Sequence, residues 1–354
     1  MPGLPGWMSW LGQERRRARI FGGGRLQLHL AADYCKARGN RLRPPRPRMI
    51  QLEPTRRCNL SCVMCQRTNR VNPDAEMGFD RFRRILDENF SYRHFLLLYG
   101  QGEPLLCADL FRMIRYERTQ GNYVVSVTNG MLLTKEATGE IARSGLNMLR
   151  ISIDGATEQT YRSVRKGASL PTVLENVRRL RSELDRFRAK TELAITFMAL
   201  EENLEEIPAL ITLAKSVGVR IVEIKELAPY ADEGREPLSV AAGRNPNLAG
   251  AIQRTLEGAR ARAKREKVVL ITSRFGPQPR SRRCLNPWFK TFISAHGFVS
   301  PCSRLCFYPE AVLGRLPEDH FDRIWFGARY RQARSCIAAG GDPFEGCRKL
   351  PRSP

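Results

Sequence analysis

Cysteine stands at positions 58, 62 and 65 in the stretch Cys58-Asn59-Leu60-Ser61-Cys62-Val63-Met64-Cys65, directly after the apolar run Met49–Thr55. Three thiolates separated by three and then two residues, on a loop leaving a strand, can each hold one iron of a single cubane cluster. The fourth iron then has no cysteine nearby. An open iron can bind a small molecule and pass it an electron, whereas four cysteines make a closed carrier. Structural zinc and core-packed thiols are the competing explanations. Zinc sites commonly pair separated ligands and include histidine, and the four histidines (His29, His94, His296, His320) are distant from this loop in sequence.

From residue 49 onward, apolar strand-like runs alternate with amphipathic segments. The runs are Met49–Thr55, His94–Gly100, Tyr123–Thr128, Met148–Asp154, Leu193–Leu200 and Val219–Leu227. Between them, Phe79–Phe90 and Leu204–Val217 carry apolar residues at helical spacing. Six βα repeats predict an α/β fold, a parallel sheet curving into a partial (β/α)6 TIM-like barrel with catalytic loops at the carboxyl ends of the strands. The motifs fall at those ends. Gly100-Gln101-Gly102-Glu103-Pro104 follows the second strand, where glycine permits close backbone approach and a carboxylate can accept from an ammonium group. Thr128-Asn129-Gly130 ends the third strand, and Ser152-Ile153-Asp154-Gly155 the fourth. Strand alternation turns Ser152 and Asp154 inward together. Two short polar groups on an inner wall need a polar partner, such as a ribose diol. Solvated turns are the bland alternative, above all for Asn129.

Together these motifs resemble the radical SAM superfamily over roughly residues 45–350. The resemblance implies that Cys58, Cys62 and Cys65 hold a [4Fe–4S] cluster. Its open iron chelates S-adenosyl-L-methionine, and reductive cleavage yields a 5′-deoxyadenosyl radical that abstracts hydrogen from substrate. It points to Gly102, Glu103 and Pro104 as contacts to the methionine amino group, with Gln101 inserted in the family's G-G-E-P motif. Asn129, Ser152 and Asp154 join the S-adenosylmethionine site. Arg165 matches the arginine that pairs with the cofactor's carboxylate, with Arg162 as its competitor. Where the family usually has an aromatic residue before the third cysteine, this chain has Met64, a soft apolar contact.

A second cysteine group follows the Gly/Pro/Arg-rich linker that starts at Arg274: Cys284, Cys302, Cys306, Cys336 and Cys347. Trp288–Ile293 and Phe298-Val299 read as a hairpin turning at Ala295-His296-Gly297, which brings Cys284 near Cys302. This region resembles the SPASM or shorter twitch extension, a small α+β iron–sulfur unit holding auxiliary [4Fe–4S] clusters. Leu350 stands where the closing ligand of a full SPASM module is expected. The resemblance therefore implies one auxiliary cluster at most, on Cys284, Cys302 and Cys347 with Cys306 or Cys336 as the fourth ligand. Cys35 and Cys107 read as core residues.

The expected organisation is a basic cap over residues 1–47, the barrel over 48–273 and the cluster extension over 274–354. Leu26, Leu28, Leu30, Ala31 and Tyr34 suit a cap helix docked on the barrel; resting on a membrane surface is the alternative for Trp7, Trp10 and Leu11. No apolar run approaches the ~20 residues that span a bilayer, and no signal peptide is evident. Ten cysteines then suit reduced thiols or metal ligands in the cytoplasm. The net charge of +23 reads mainly as solvated helix faces, without the aromatic-interleaved basic stretch of a nucleic-acid binder. An acidic peptide or anionic lipid stays a possible partner. The expected activity is an oxidation or a peptide or natural-product modification, fed by an external one-electron reductant of flavodoxin or ferredoxin type. Its substrate is a small molecule or a peptide, and the short N-terminus disfavours leader-dependent peptide work. A non-catalytic iron–sulfur electron carrier or basic RNA-binding scaffold is the rival.

Overall fold

The computed structural model describes residues 44–66, 74–227, 238–273, 275 and 284–349. Strands and helices alternate as expected: β1 (Met49–Leu52), α1 (Phe79–Asn89), β2 (Phe95–Leu98), α2 (Leu110–Thr119), β3 (Tyr123–Thr128), α3 (Lys135–Ser144) and β4 (Met148–Ser152). Then come α4 (Glu158–Val164), α5 (Leu170–Arg186), β5 (Glu192–Ala199), α6 (Ile207–Ser216) and β6 (Ile221–Glu226). Each of these strands runs parallel to the one before it. α7 (Leu238–Arg244) and α8 (Pro246–Glu266) lead to a further parallel strand, β7 (Val269–Thr272).

The sheet is covered on both faces, as parallel sheets are. In α1, Phe79, Phe82, Ile85 and Leu86 fall on one buried stripe, and they pack in the same outer core as Ile50, Leu52, Leu96 and Leu98. The alternate strand positions turn the other way. Leu97, Val125, Met148, Ala194, Ile221 and Ile271 form a separate apolar floor inside the sheet. Residues 228–237 lie outside the described residues, and Leu238–Arg244 is helical. Its alanine-rich Leu238-Ser239-Val240-Ala241-Ala242 favours a helix.

The extension joins the barrel sheet instead of standing apart. β8 (Lys290–Ile293) lies parallel beside β1, and with β9 (Phe298–Ser300) and β10 (Gly314–Arg315) the sheet order is β10-β9-β8-β1-β2-β3-β4-β5-β6-β7. The expected hairpin is present, with Phe292 opposite Ser300 and Ile293 opposite Val299 on β9 (Phe298–Ser300), and Gly297 at φ +84° in its turn. Its first strand begins later than expected, because Pro287 opens the helical turn α9 (Asn286–Phe289). β10 (Gly314–Arg315) pairs with β9, and α10 (Phe321–Trp325), α11 (Ala328–Ala338) and α12 (Glu345–Lys349) follow. Arg334 ties this unit together. Fully buried, it donates to the Pro287 carbonyl at 2.9 Å and the Trp325 carbonyl at 2.7 Å, and it lies over the Trp325 and Tyr330 rings.

Of the basic cap, residues 1–43, including Cys35, lie outside the described residues. The segment that follows them spans barrel and extension: the Trp325 indole donates to the Pro45 carbonyl at 3.1 Å, and the Tyr92 hydroxyl to Pro47 at 2.9 Å. Among the described residues no helix is long and apolar enough to cross a membrane.

Candidate functional site

The cysteine loop is clamped from two sides. On one side, Ser61 N donates to the Lys166 carbonyl and Val63 N to the Val164 carbonyl, both at 3.0 Å, so the loop zips onto the end of α4. On the other, Glu103 N donates to the Arg57 carbonyl at 2.8 Å. A Cβ on Gly102 would collide with the Thr55 and Arg57 carbonyls, so only glycine lets the two loops meet. Cys62 and Met64 are buried, while Cys58 and Cys65 are half-buried. Burial pushes the Cys62 thiol up to about 11; Arg165 opposes this, and Cys65, Asp154 and Cys58 add to it. Thiolates crowded in a dry loop need positive charge, which ligated iron supplies.

Arg165 sits on the zipped segment and connects two motifs. Its Nε donates to Asp154 Oδ2 at 2.7 Å, and its Nη1 lies 3.8 Å from Cys62 Sγ. Arg162, the competitor, is exposed and pairs with Glu158 at 3.9 Å. Asp154, 1% exposed, also accepts from Met198 N at 2.6 Å, and burial raises its carboxyl despite Arg165 and that bond. Ser152 faces the Thr196 hydroxyl at 3.4 Å on the neighbouring strand. Ile151 and Ile153 turn to the outer core, as alternation requires.

The Glu103 carboxylate is directed inward. It accepts from Asn129 N at 2.7 Å and Leu105 N at 3.2 Å, and Pro104 opens the buried turn beside it. Burial raises its carboxyl above the usual range, against the bonds from Asn129, Thr128 and Leu105. Three bonds leave the carboxylate room for one more donor, and a bound ammonium there would favour the charged form. Asn129 is a tie in this network: its Nδ2 donates to Asn59 Oδ1 at 2.8 Å, and its Oδ1 accepts from Met131 N at 2.9 Å. The rim thus offers three thiols, two buried acids and a guanidinium. That donor set fits a three-cysteine cluster with an amino-acid-bearing ligand beside it.

Several participants had no motif to announce them. Glu53, fully buried, accepts from Gln101 N at 2.8 Å and from Ala295 N at 3.2 Å, and pairs with Arg56 at 3.3 Å. One carboxylate therefore joins β1, the Gly100–Gly102 loop and the extension. Alternation with Met49 and Gln51 places Glu53 on the inner face, which is the signal that could have found it.

In the extension, Cys302 and Cys347 pack against one small apolar cluster that includes Leu305 and Tyr308. Burial pushes the Cys347 thiol up to about 12, with Cys302 and then Cys284 adding to it. Cys306 points back to the barrel: Gln101 Nε2 is 3.8 Å and Arg56 Nη2 3.9 Å from its sulfur. Burial raises its thiol, with Glu53 adding, Arg56 opposing and Cys302 contributing. Cys336 lies at the end of α11 against Gly341. No three His, Cys, Asp or Glu side chains among the described residues converge enough to hold a single metal ion. A cubane does not require that, since each thiolate binds a different corner. Cys107 is a buried core thiol, as expected.

A parallel half-barrel with a three-cysteine loop at the carboxyl end of its first strand defines a class of cluster-dependent cofactor-binding proteins. The chain belongs to the radical SAM superfamily: residues 52–214 match that family's model, and residues 284–349 match the SPASM iron–sulfur cluster-binding domain. Its cofactors are accordingly a [4Fe–4S] cluster and S-adenosyl-L-methionine, with an auxiliary iron–sulfur centre in the extension. It is 29% identical to an AdoMet-dependent heme synthase of Methanosarcina barkeri over 306 residues, 81% of this chain and 85% of that one. It is 27% identical to a PqqA peptide cyclase of Rhodopseudomonas palustris, covering 72% of this chain and 67% of that one. Its fold matches Streptococcus suis SuiB bound to S-adenosylmethionine with a TM-score of 0.66 at 15% identity, covering 88% of this chain and 73% of that one.

Proposed function

We propose that the chain is a radical enzyme in which Cys58, Cys62 and Cys65 hold the reducing cluster, and that it oxidises or otherwise modifies a substrate seated in the barrel mouth. When bound, cluster and S-adenosylmethionine supply a 5′-deoxyadenosyl radical that removes hydrogen from that substrate. The chain's part is to bind, orient and exclude water. Gly102, Glu103 and Pro104 receive the amino-acid end of the cofactor, Ser152 and Asp154 its polar groups on the fourth strand, and Arg165 its carboxylate. Asn129 positions Glu103. The observation that carries this reading is Arg165, whose guanidinium reaches both Cys62 and Asp154. One side chain thereby couples the cluster loop to the strand-end acid.

In the extension we assign Cys284, Cys302 and Cys347 to the auxiliary centre. Cys306 is the fourth ligand in preference to Cys336, because it and Cys302 flank one short helical turn, Ser303–Leu305. An external one-electron reductant of flavodoxin or ferredoxin type delivers the electrons, in the cytoplasm. The long span shared with the heme synthases supports a small molecule over a peptide as substrate.

The test is anaerobic reconstitution followed by dithionite and S-adenosylmethionine. Formation of 5′-deoxyadenosine is expected; full cluster loading without it, even with candidate substrates added, leaves an electron carrier as the surviving reading.

A further inference from the structure

Two barrel side chains reach across the seam to one sulfur of the extension. Arg56 is 6% exposed and stands two residues before Cys58, and its Nη2 lies 3.9 Å from Cys306 Sγ. Its guanidinium also lies over the Phe307 ring at 5.3 Å, and its Nε meets Glu53 Oε2 at 3.3 Å. Gln101 approaches from the neighbouring loop: its Nε2 is 3.8 Å from the same sulfur and 3.5 Å from the Ser303 carbonyl. Glu53 holds both from behind. Gln101 N donates to Glu53 Oε1 at 2.8 Å, and a Cβ on Gly100 would collide with the Glu53 side chain, so the loop is pressed against that acid with Gln101 at its crest.

Closing the seam does not by itself require donors aimed at a sulfur. Arg81 fastens α1 to the extension on backbone carbonyls instead, those of His296 at 2.8 Å and Leu316 at 2.9 Å. A neutral thiol accepts weakly, whereas a thiolate that ligates iron carries negative charge and accepts a stronger bond. Reduction of a cluster adds an electron whose charge falls partly on its cysteine sulfurs. N–H donors therefore stabilise the reduced form more than the oxidised one and raise the potential. The Glu53 carboxylate offsets part of the Arg56 charge, so the guanidinium acts here chiefly through its N–H.

We propose that Gln101 and Arg56 donate to the Cys306 sulfur of the auxiliary centre and raise its reduction potential, so that two loops of the barrel rim set the redox poise of the extension. This rests on the assignment of Cys306 as the fourth ligand.

The measurement is a potentiometric titration, followed by electron paramagnetic resonance, of the anaerobically reconstituted full chain carrying Cys58→Ala, Cys62→Ala and Cys65→Ala, which leaves the auxiliary centre to be observed by itself. In that background Arg56→Met should shift the equilibrium towards the oxidised form at least tenfold, 59 mV for one electron, and Gln101→Leu about threefold, ~28 mV. Arg81→Met, which loosens the seam at His296 and Leu316, should not move it. Gln101→Leu alters a half-buried side chain and covers the case in which Arg56→Met does not fold. Proton couplings that vanish from the reduced centre's electron–nuclear double resonance spectrum on exchange into D2O should be fewer in Gln101→Leu than in the background, a signature that a loosened seam would not give. Unmoved potentials in Arg56→Met and Gln101→Leu, or an equal fall in Arg81→Met, overturn the proposal. If the background binds no iron, or if Cys306→Ser leaves the auxiliary spectrum unchanged, the ligand assignment falls and the proposal with it. A changed spectrum in Cys306→Ser beside unmoved potentials sinks the proposal alone.

Discussion

The two cysteine groups are built on different principles. Around Cys58, Cys62 and Cys65, the partners come from the ends of parallel strands, the turns after them and the end of α4. Backbone hydrogen bonds from Ser61, Val63 and Glu103 clamp the loop before any cofactor arrives. In the extension, Cys284, Cys302, Cys306, Cys336 and Cys347 sit on short helices, turns and their ends, fastened by a few anchors such as Arg334. The first site is positioned by sheet register, which many residues determine together. The second depends on a small apolar cluster and on the seam along β8 and β1. Register tolerates the loss of one contact better than a small cluster does, because its hydrogen bonds are many and mutually supporting.

The sharpest separation of the two regions removes one centre. In the triple variant Cys58→Ala, Cys62→Ala, Cys65→Ala, 5′-deoxyadenosine should fall below detection while iron stays near four atoms per chain in the extension. Iron analysis giving none would mean that only one centre exists. Next comes the seam. Glu53→Ala leaves Arg56 buried without its carboxylate and should cost about 3–5 kcal/mol in denaturant unfolding. Amide exchange should quicken first at Ala295 and along β8. Uniform acceleration over all strands would show that barrel and extension open as one unit.

Within the barrel, Arg165→Met should weaken S-adenosylmethionine binding at least tenfold by equilibrium dialysis, in line with the ~1.5–3 kcal/mol of a charged hydrogen bond. Arg162→Met should match the unaltered protein. Equal losses in both would reassign the carboxylate contact. The smallest effect is expected in the extension: Cys336→Ser should leave iron content and the auxiliary centre's spectrum unchanged, and Cys306→Ser should alter that spectrum. The reverse pattern would exchange the two as fourth ligand.

Much of the rim was legible beforehand because period-two alternation and ligand spacing are local properties. Alternation puts Ser152 and Asp154 on one face, and Arg165, expected at the cofactor's carboxylate, lies against Asp154 while Arg162 pairs with Glu158. Glu53, Thr196 and the ion pairs of Glu223 with Arg150 and Lys225 were not legible. Each reads as one more polar residue in a strand until its neighbours from other strands are known. The helical turn at Pro287 was likewise masked by the apolar Trp288–Ile293 run.

By itself the sequence determined the alternation of strands and helices, the three-cysteine loop and the glycine that lets its neighbour approach, since each depends on residues close along the chain. Tertiary structure alone decided that β8 lies against β1, that Cys306 looks towards Gln101 and Arg56, and that Glu53 joins the Gly100–Gly102 loop to the extension. Those are contacts between residues up to some 250 positions apart, and they exist only once the sheet has closed.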